Sequence, residues 1–114
     1  MGATDWLEES LPDQPNRRVE YTVRFSQTLA EQGAIDAFDI SSGGNHTAQH
    51  IHVKAAFQAP FAVVVKKAVG DKLQVGNAGM IDSDSPANSL LENEGLDFVL
   101  VGRGFQNNPS LVWA

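Results

Sequence analysis

QAPFAVVVKKAVGDKLQVGNAGMI, residues 58–81, contains one complete repeat of the architecture. Pro60 suits a first helical turn, where the N–H it lacks would have had no intrahelical partner. Phe61, Val64, Val65 and Ala68 then follow at i, i+3, i+4 and i+7, the spacing of one helix face, and Gly70 closes the segment. Residues 73–78 read as a short strand, and Gly79-Met80-Ile81 opens the loop beyond it.

The same order of helix, glycine, short apolar strand and small-residue loop recurs on both sides. Upstream, residues 17–32 predict a helix with a broad apolar face made of Val19, Val23 and Ala30 with Tyr21, Phe25 and Leu29. Gly33 is its expected left-handed cap, and residues 35–40 its following strand. Downstream, Asp84 or Ser85 before Pro86 caps a third helix that runs through Leu90 and Leu91 to Gly95, and residues 96–101 form the third strand. Helices alternating with strands at this spacing require a parallel sheet, so every strand-to-helix loop falls on one edge. Those loops begin at Ser41-Ser42-Gly43-Gly44, at Gly79-Met80-Ile81 and at Gly102-Arg103-Gly104, whereas the opposite connections are short. Function is expected on the loop-rich edge.

The 114 residues suffice for one compact domain or a piece of one, here residues 1–114 as a single unit. A net charge of −6, with no basic cluster beyond Arg17-Arg18 and Lys66-Lys67, leaves no footprint for nucleic acid. The absence of cysteine removes disulfides and thiolate metal sites. The acidic N-terminus is not a signal peptide, and no apolar run approaches membrane-spanning length. A soluble, cytoplasmic chain without a membrane partner is the expectation.

Glycine at a strand end lets backbone N–H groups approach a ligand, and a following helix adds partial positive charge, which together favour phosphate. Arg103 offers a planar cation able to bond phosphate oxygens in pairs, and Ser41 or Ser42 a hydroxyl donor. Arg103 reads equally well as one half of an ion pair with a nearby carboxylate. His46, His50 and His52 form an H-x3-H-x-H cluster, but no carboxylate or cysteine stands at ligand spacing, so no metal is expected. The sequon Asn45-His46-Thr47 lacks a secretory signal and reads as chance. Glu8, Glu9, Glu92 and Glu94 are expected to face solvent rather than form a catalytic pair. Asp39 lies inside an apolar strand and, if buried, needs a partner; orienting the serine-glycine loop is its expected role.

Ala3-Thr4-Asp5-Trp6, Phe38-Asp39-Ile40-Ser41-Ser42-Gly43-Gly44, Phe57-Gln58-Ala59-Pro60-Phe61-Ala62, Ala78-Gly79-Met80-Ile81 and Val101-Gly102-Arg103 with Asn108-Pro109 resemble, in order and spacing, successive signatures of the old yellow enzyme family. The resemblance covers essentially the whole chain. It implies the C-terminal part of a (β/α)8 TIM barrel, with about three complete βα units of parallel strands and the remnant of another, since a full barrel takes about 250 residues. It also implies an FMN-dependent oxidoreductase that is reduced by NAD(P)H and reoxidised on a small-molecule alkene. Ser42, Gly43, Gly79, Gly102 and Arg103 would grip the FMN phosphate. The family's substrate-holding histidine pair, or histidine with asparagine, and its proton-donating tyrosine lie upstream, so no residue here inherits a catalytic role. The family's proline-glycine-tyrosine before glutamine is replaced by Ala55-Ala56-Phe57, which loses a phenol and a flexible turn next to Gln58. A chain cut from a barrel has open strand edges, and self-association through them is expected.

Overall fold

The computed structural model describes residues 1–113. Three parallel strands, β1 (Ala37–Ile40), β2 (Gln74–Ala78) and β3 (Phe98–Leu100), form an open sheet in the order β1-β2-β3. Helix α1 (Val19–Gln32) precedes β1, α2 (Ala59–Val69) joins β1 to β2, α3 (Asp84–Asn88) joins β2 to β3, and α4 (Arg103–Asn107) follows β3. A parallel bridge between Gly2 and Ser41 continues the sheet by one position beyond β1.

In-register residues on neighbouring parallel strands share a face, and successive residues alternate. Phe38, Ile40, Val75, Asn77 and Val99 face the helices. Ile40, Val75 and Asn77 are fully buried there, with Ala62, Val65 and Val69 of α2 and with Leu73 completing the core. The other face carries Ala37, Gln74 and Leu100, all exposed.

Gly33 caps α1 in the left-handed conformation, with φ 63° and its N–H donating to Leu29 O, as the sequence predicts. The helix begins two residues later than expected because Arg18 is extended. Its buried side also differs. Thr22, Ser26 and Ala30 are packed inward, while Tyr21 is 60% and Phe25 46% exposed. The reason lies in what α1 covers. Thr22 Oγ1 donates to Ala3 O at 3.0 Å and Ser26 Oγ to Thr22 O at 2.7 Å, so the helix approaches the chain near Ala3 through small residues whose hydroxyls are satisfied.

The third helix stops short of its expected length. After Asn88 the chain widens into a π turn, Ser89–Asn93, closed by Glu94 N–H to Ser89 O. This buries Leu90 and leaves Leu91 exposed. The strand expected over residues 96–101 is correspondingly trimmed to three residues, with Leu96 in the core. At the opposite end of the sheet from the loops, Lys66 Nζ at the end of α2 pairs with Asp97 Oδ2 at 2.8 Å, and the same oxygen accepts the Val75 N–H at 2.7 Å. Burial pushes the Asp97 carboxyl up, but the Lys66 hydrogen bond, the Val75 N–H and the Lys66 charge outweigh it and hold the group below the usual aspartate range.

Candidate functional site at the strand C-termini

The ends of β2 and β3 open into a cleft of about 700 Å3, lined by the Ala78 to Asp82 loop, by Leu100 and Gly102 to Gly104, and by Asn107, Asn108 and Leu111. Gly79, Gly102 and Arg103 therefore converge on one wall. Gly79 holds φ 122°, and Met80 continues with φ 52°, a region that a side chain disfavours. Glycine at 79 also has a contact reason: a Cβ there would sit 2.6 Å from Gln58 Nε2. A Cβ at Gly102 would meet nothing, so that backbone borders open space.

Arg103 is the first residue of α4 and lies exposed. Its Nη2 donates to Met80 Sδ at 2.8 Å, and among the described residues it makes no ion pair with a carboxylate. The expected help from a helix N-terminus is slight here, because α4 has only five residues. Positive charge in the cleft rests on the guanidinium.

Ser42 and Gly43 are not part of this wall. The Ser42 hydroxyl accepts from Trp6 Nε1 at 2.8 Å and donates to Gln58 Oε1 at 2.8 Å, while Gln58 Nε2 donates to Ala78 O at 2.9 Å. A relay thus runs from the loop after β1 to the end of β2, and Gln58, buried at its centre, fixes the spacing between the two loops. Gln58 makes these contacts with Ala55 and Ala56 preceding Phe57. Ala56 reaches the required turn at φ 51°, where glycine would be the unstrained residue. Gly43, with φ 90°, packs close to Ile51. Asp39 has one carboxylate oxygen, Oδ1, without a hydrogen-bond partner among the described residues, so the partner expected for it is not found there. Its backbone carbonyl accepts from the Met1 amine at 2.9 Å.

A second, open cleft of about 400 Å3 lies beside Trp6 and Phe61, whose rings meet edge-on at 5.4 Å. Glu9, His50 and His52 stand on its rim. Glu9 Oε2 lies 2.6 Å from His50 Nδ1, and Oε1 3.3 Å from His52 Nε2. Those two hydrogen bonds, His50 first, hold the Glu9 carboxyl below its ordinary range. Sequence spacing missed this carboxylate because it stands 41 residues from His50. Only the folding of two loops against each other brings it there.

Fold and edge define an α/β protein with parallel strands whose candidate site lies at the strand C-termini. Comparison with known proteins makes this more particular. No family model matches the chain. It is 40% identical over 122 residues to the NADH:flavin oxidoreductase FG08077 of Gibberella zeae, an alignment that covers all of this chain and 29% of that protein. NADPH dehydrogenases of Bacillus pumilus and Geobacillus thermodenitrificans are 36% and 34% identical, over 71% and 81% of this chain and 23% and 26% of their own lengths. The chain belongs to the old yellow enzyme family of flavin oxidoreductases. It spans less than a third of the length of these relatives.

Proposed function

We propose that this chain is the C-terminal part of a (β/α)8 barrel, residues 1–114 forming a partial domain, and that it supplies the phosphate-gripping side of an FMN site in an NAD(P)H-dependent oxidoreductase of the ene-reductase type. The observation that carries the reading is the convergence of Gly79, Gly102 and Arg103 on one cleft at the C-terminal edge of a parallel sheet. Barrels of this kind bind phosphate at the loops after their last strands. Backbone bordering open space at Gly102 and a guanidinium without a carboxylate partner among the described residues fit an anion. Ser42 and Gly43 act from the neighbouring loop, Ser42 through its relay to Gln58.

FMN, when bound, supplies the hydride chemistry between the nicotinamide and an activated alkene. This chain's own residues would do the holding: Arg103 would bond the phosphate oxygens, and the Gln58 relay keeps the loops after β1 and β2 at a fixed separation. No described residue is assigned to the catalytic step. The setting is cytoplasmic in this reading. No helix among the described residues is long and apolar enough to cross a membrane.

The test is titration with FMN, following flavin fluorescence, with the Arg103→Ala variant in parallel. Saturable binding that weakens roughly tenfold or more in the variant, as loss of a charge-assisted bond of about 1.5–3 kcal/mol requires, supports the phosphate site. Binding indifferent to Arg103 rejects it. If FMN binds and no nicotinamide is oxidised, the chain is a binding module without redox activity.

A further inference from the structure

The geometry points to a divalent transition-metal site formed by Glu9, His50 and His52, an ion of the zinc class clipping the loop of residues 5–17 to the loop of residues 42–58. One ligand atom from each of the three side chains lies within 4.8 Å of the other two. Two imidazoles and a carboxylate are a donor set for zinc and its neighbours, whereas magnesium and calcium prefer all-oxygen cages. Tetrahedral zinc with bonds near 2.0–2.1 Å brings its ligand atoms to roughly 3.3–3.4 Å from one another. Reaching that geometry widens the 2.6 Å Glu9–His50 contact and adjusts separations that nowhere exceed 4.8 Å, through rotations of three exposed side chains.

The two loops are fixed against each other independently of the trio. His50 N–H donates to Trp6 O at 3.0 Å, Gln49 Nε2 to Asp5 O at 2.7 Å, Trp6 Nε1 to Ser42 Oγ at 2.8 Å, and Ser10 Oγ to Ala48 O. These bonds flank Glu9 on both sides and hold the second loop from Ser42 up to the backbone of His50. The carboxylate and the histidines are thus delivered by ordered backbone, and an ion replaces the present carboxylate–imidazole hydrogen bonds with bonds to the same atoms. Three protein ligands would leave a position on a tetrahedral metal for water.

His46 lies nearby in sequence but outside the trio, since its Nδ1 accepts the Ala48 N–H at 3.0 Å. It serves as the control. Glu8 and Glu20 line the same cleft and are the alternative carboxylates.

The experiment is calorimetric titration of the full chain with zinc chloride, repeated with cobalt(II) to read coordination from its visible absorption, and with magnesium chloride as the hard-ion comparison. One equivalent of zinc is expected to bind, with affinity falling roughly tenfold or more in Glu9→Gln and in His52→Asn and staying level in His46→Asn. Zinc is also expected to raise the melting temperature of the parent chain and not of Glu9→Gln. All three substituted positions are exposed, so each variant keeps the packed core. Absence of saturable zinc uptake, or uptake that survives Glu9→Gln, or uptake lost equally in His46→Asn overturns the site.

Discussion

At Ala56 the backbone sits at φ 51°, a conformation that costs an L-residue about 1–2 kcal/mol and glycine almost nothing. Ala56→Gly relieves that cost while loosening the unfolded chain, so a net gain of about 0.5–1 kcal/mol is expected in denaturant melts. An unchanged or lower midpoint would show that the turn is not strained. Gly79 is the opposite case. Alanine there meets Gln58 Nε2 and must hold φ 122°, so Gly79→Ala is expected to destabilise the chain by about 1–3 kcal/mol and to break the relay from Ser42 to Ala78. Asp97 carries a pH prediction. Its carboxyl is held below the ordinary value of about 3.9, so its contribution is complete above that pH and disappears as pH falls through the lowered value. Asp97→Asn should cost about 1 kcal/mol near neutrality, reduced by the partial exposure of the pair, and nothing in strong acid. A cost that persists undiminished in acid would assign the effect to packing instead.

At the scale of elements, α1 shows how a periodic pattern can be read correctly as a helix and incorrectly as to its buried side. The apolar residues Tyr21 and Phe25 promise an inward face, yet Thr22 and Ser26 occupy it, because the helix lies close to the backbone at Ala3. Thr22→Val keeps the size and removes the donor to Ala3 O, so a loss of about 1 kcal/mol is expected in thermal melts, whereas Tyr21→Ser should be nearly silent. Equal effects at the two positions would return the apolar reading of the face. The third helix makes a related point. Its end glycine is visible in sequence, but the extended residue before the helix is Ser83 rather than Asp84 or Ser85, and the π turn that puts Leu90 inside and Leu91 outside follows from packing against β3 and its flanks.

At the scale of the whole molecule, the sheet among the described residues is open beyond β3 and carries only the Gly2–Ser41 bridge beside β1, and exposed apolar groups include Tyr21 and Phe25 on α1, Leu100 at the end of β3, and Phe105, Val112 and Trp113 after it. Self-association through these edges is expected, seen as concentration-dependent mass in light scattering and reduced by Phe105→Lys. A monomer at every concentration would count against it. The sequence by itself determined the order of elements, the parallel sheet, the glycine caps and the placement of Gly79, Gly102 and Arg103 on one edge, because these follow from local periodicity and turn chemistry that act within a few residues. Only the tertiary structure decided which face of α1 is buried, that Gln58 joins Ser42 to Ala78, and that Glu9 meets His50 and His52, because each depends on where distant segments come to rest, which no local spacing encodes.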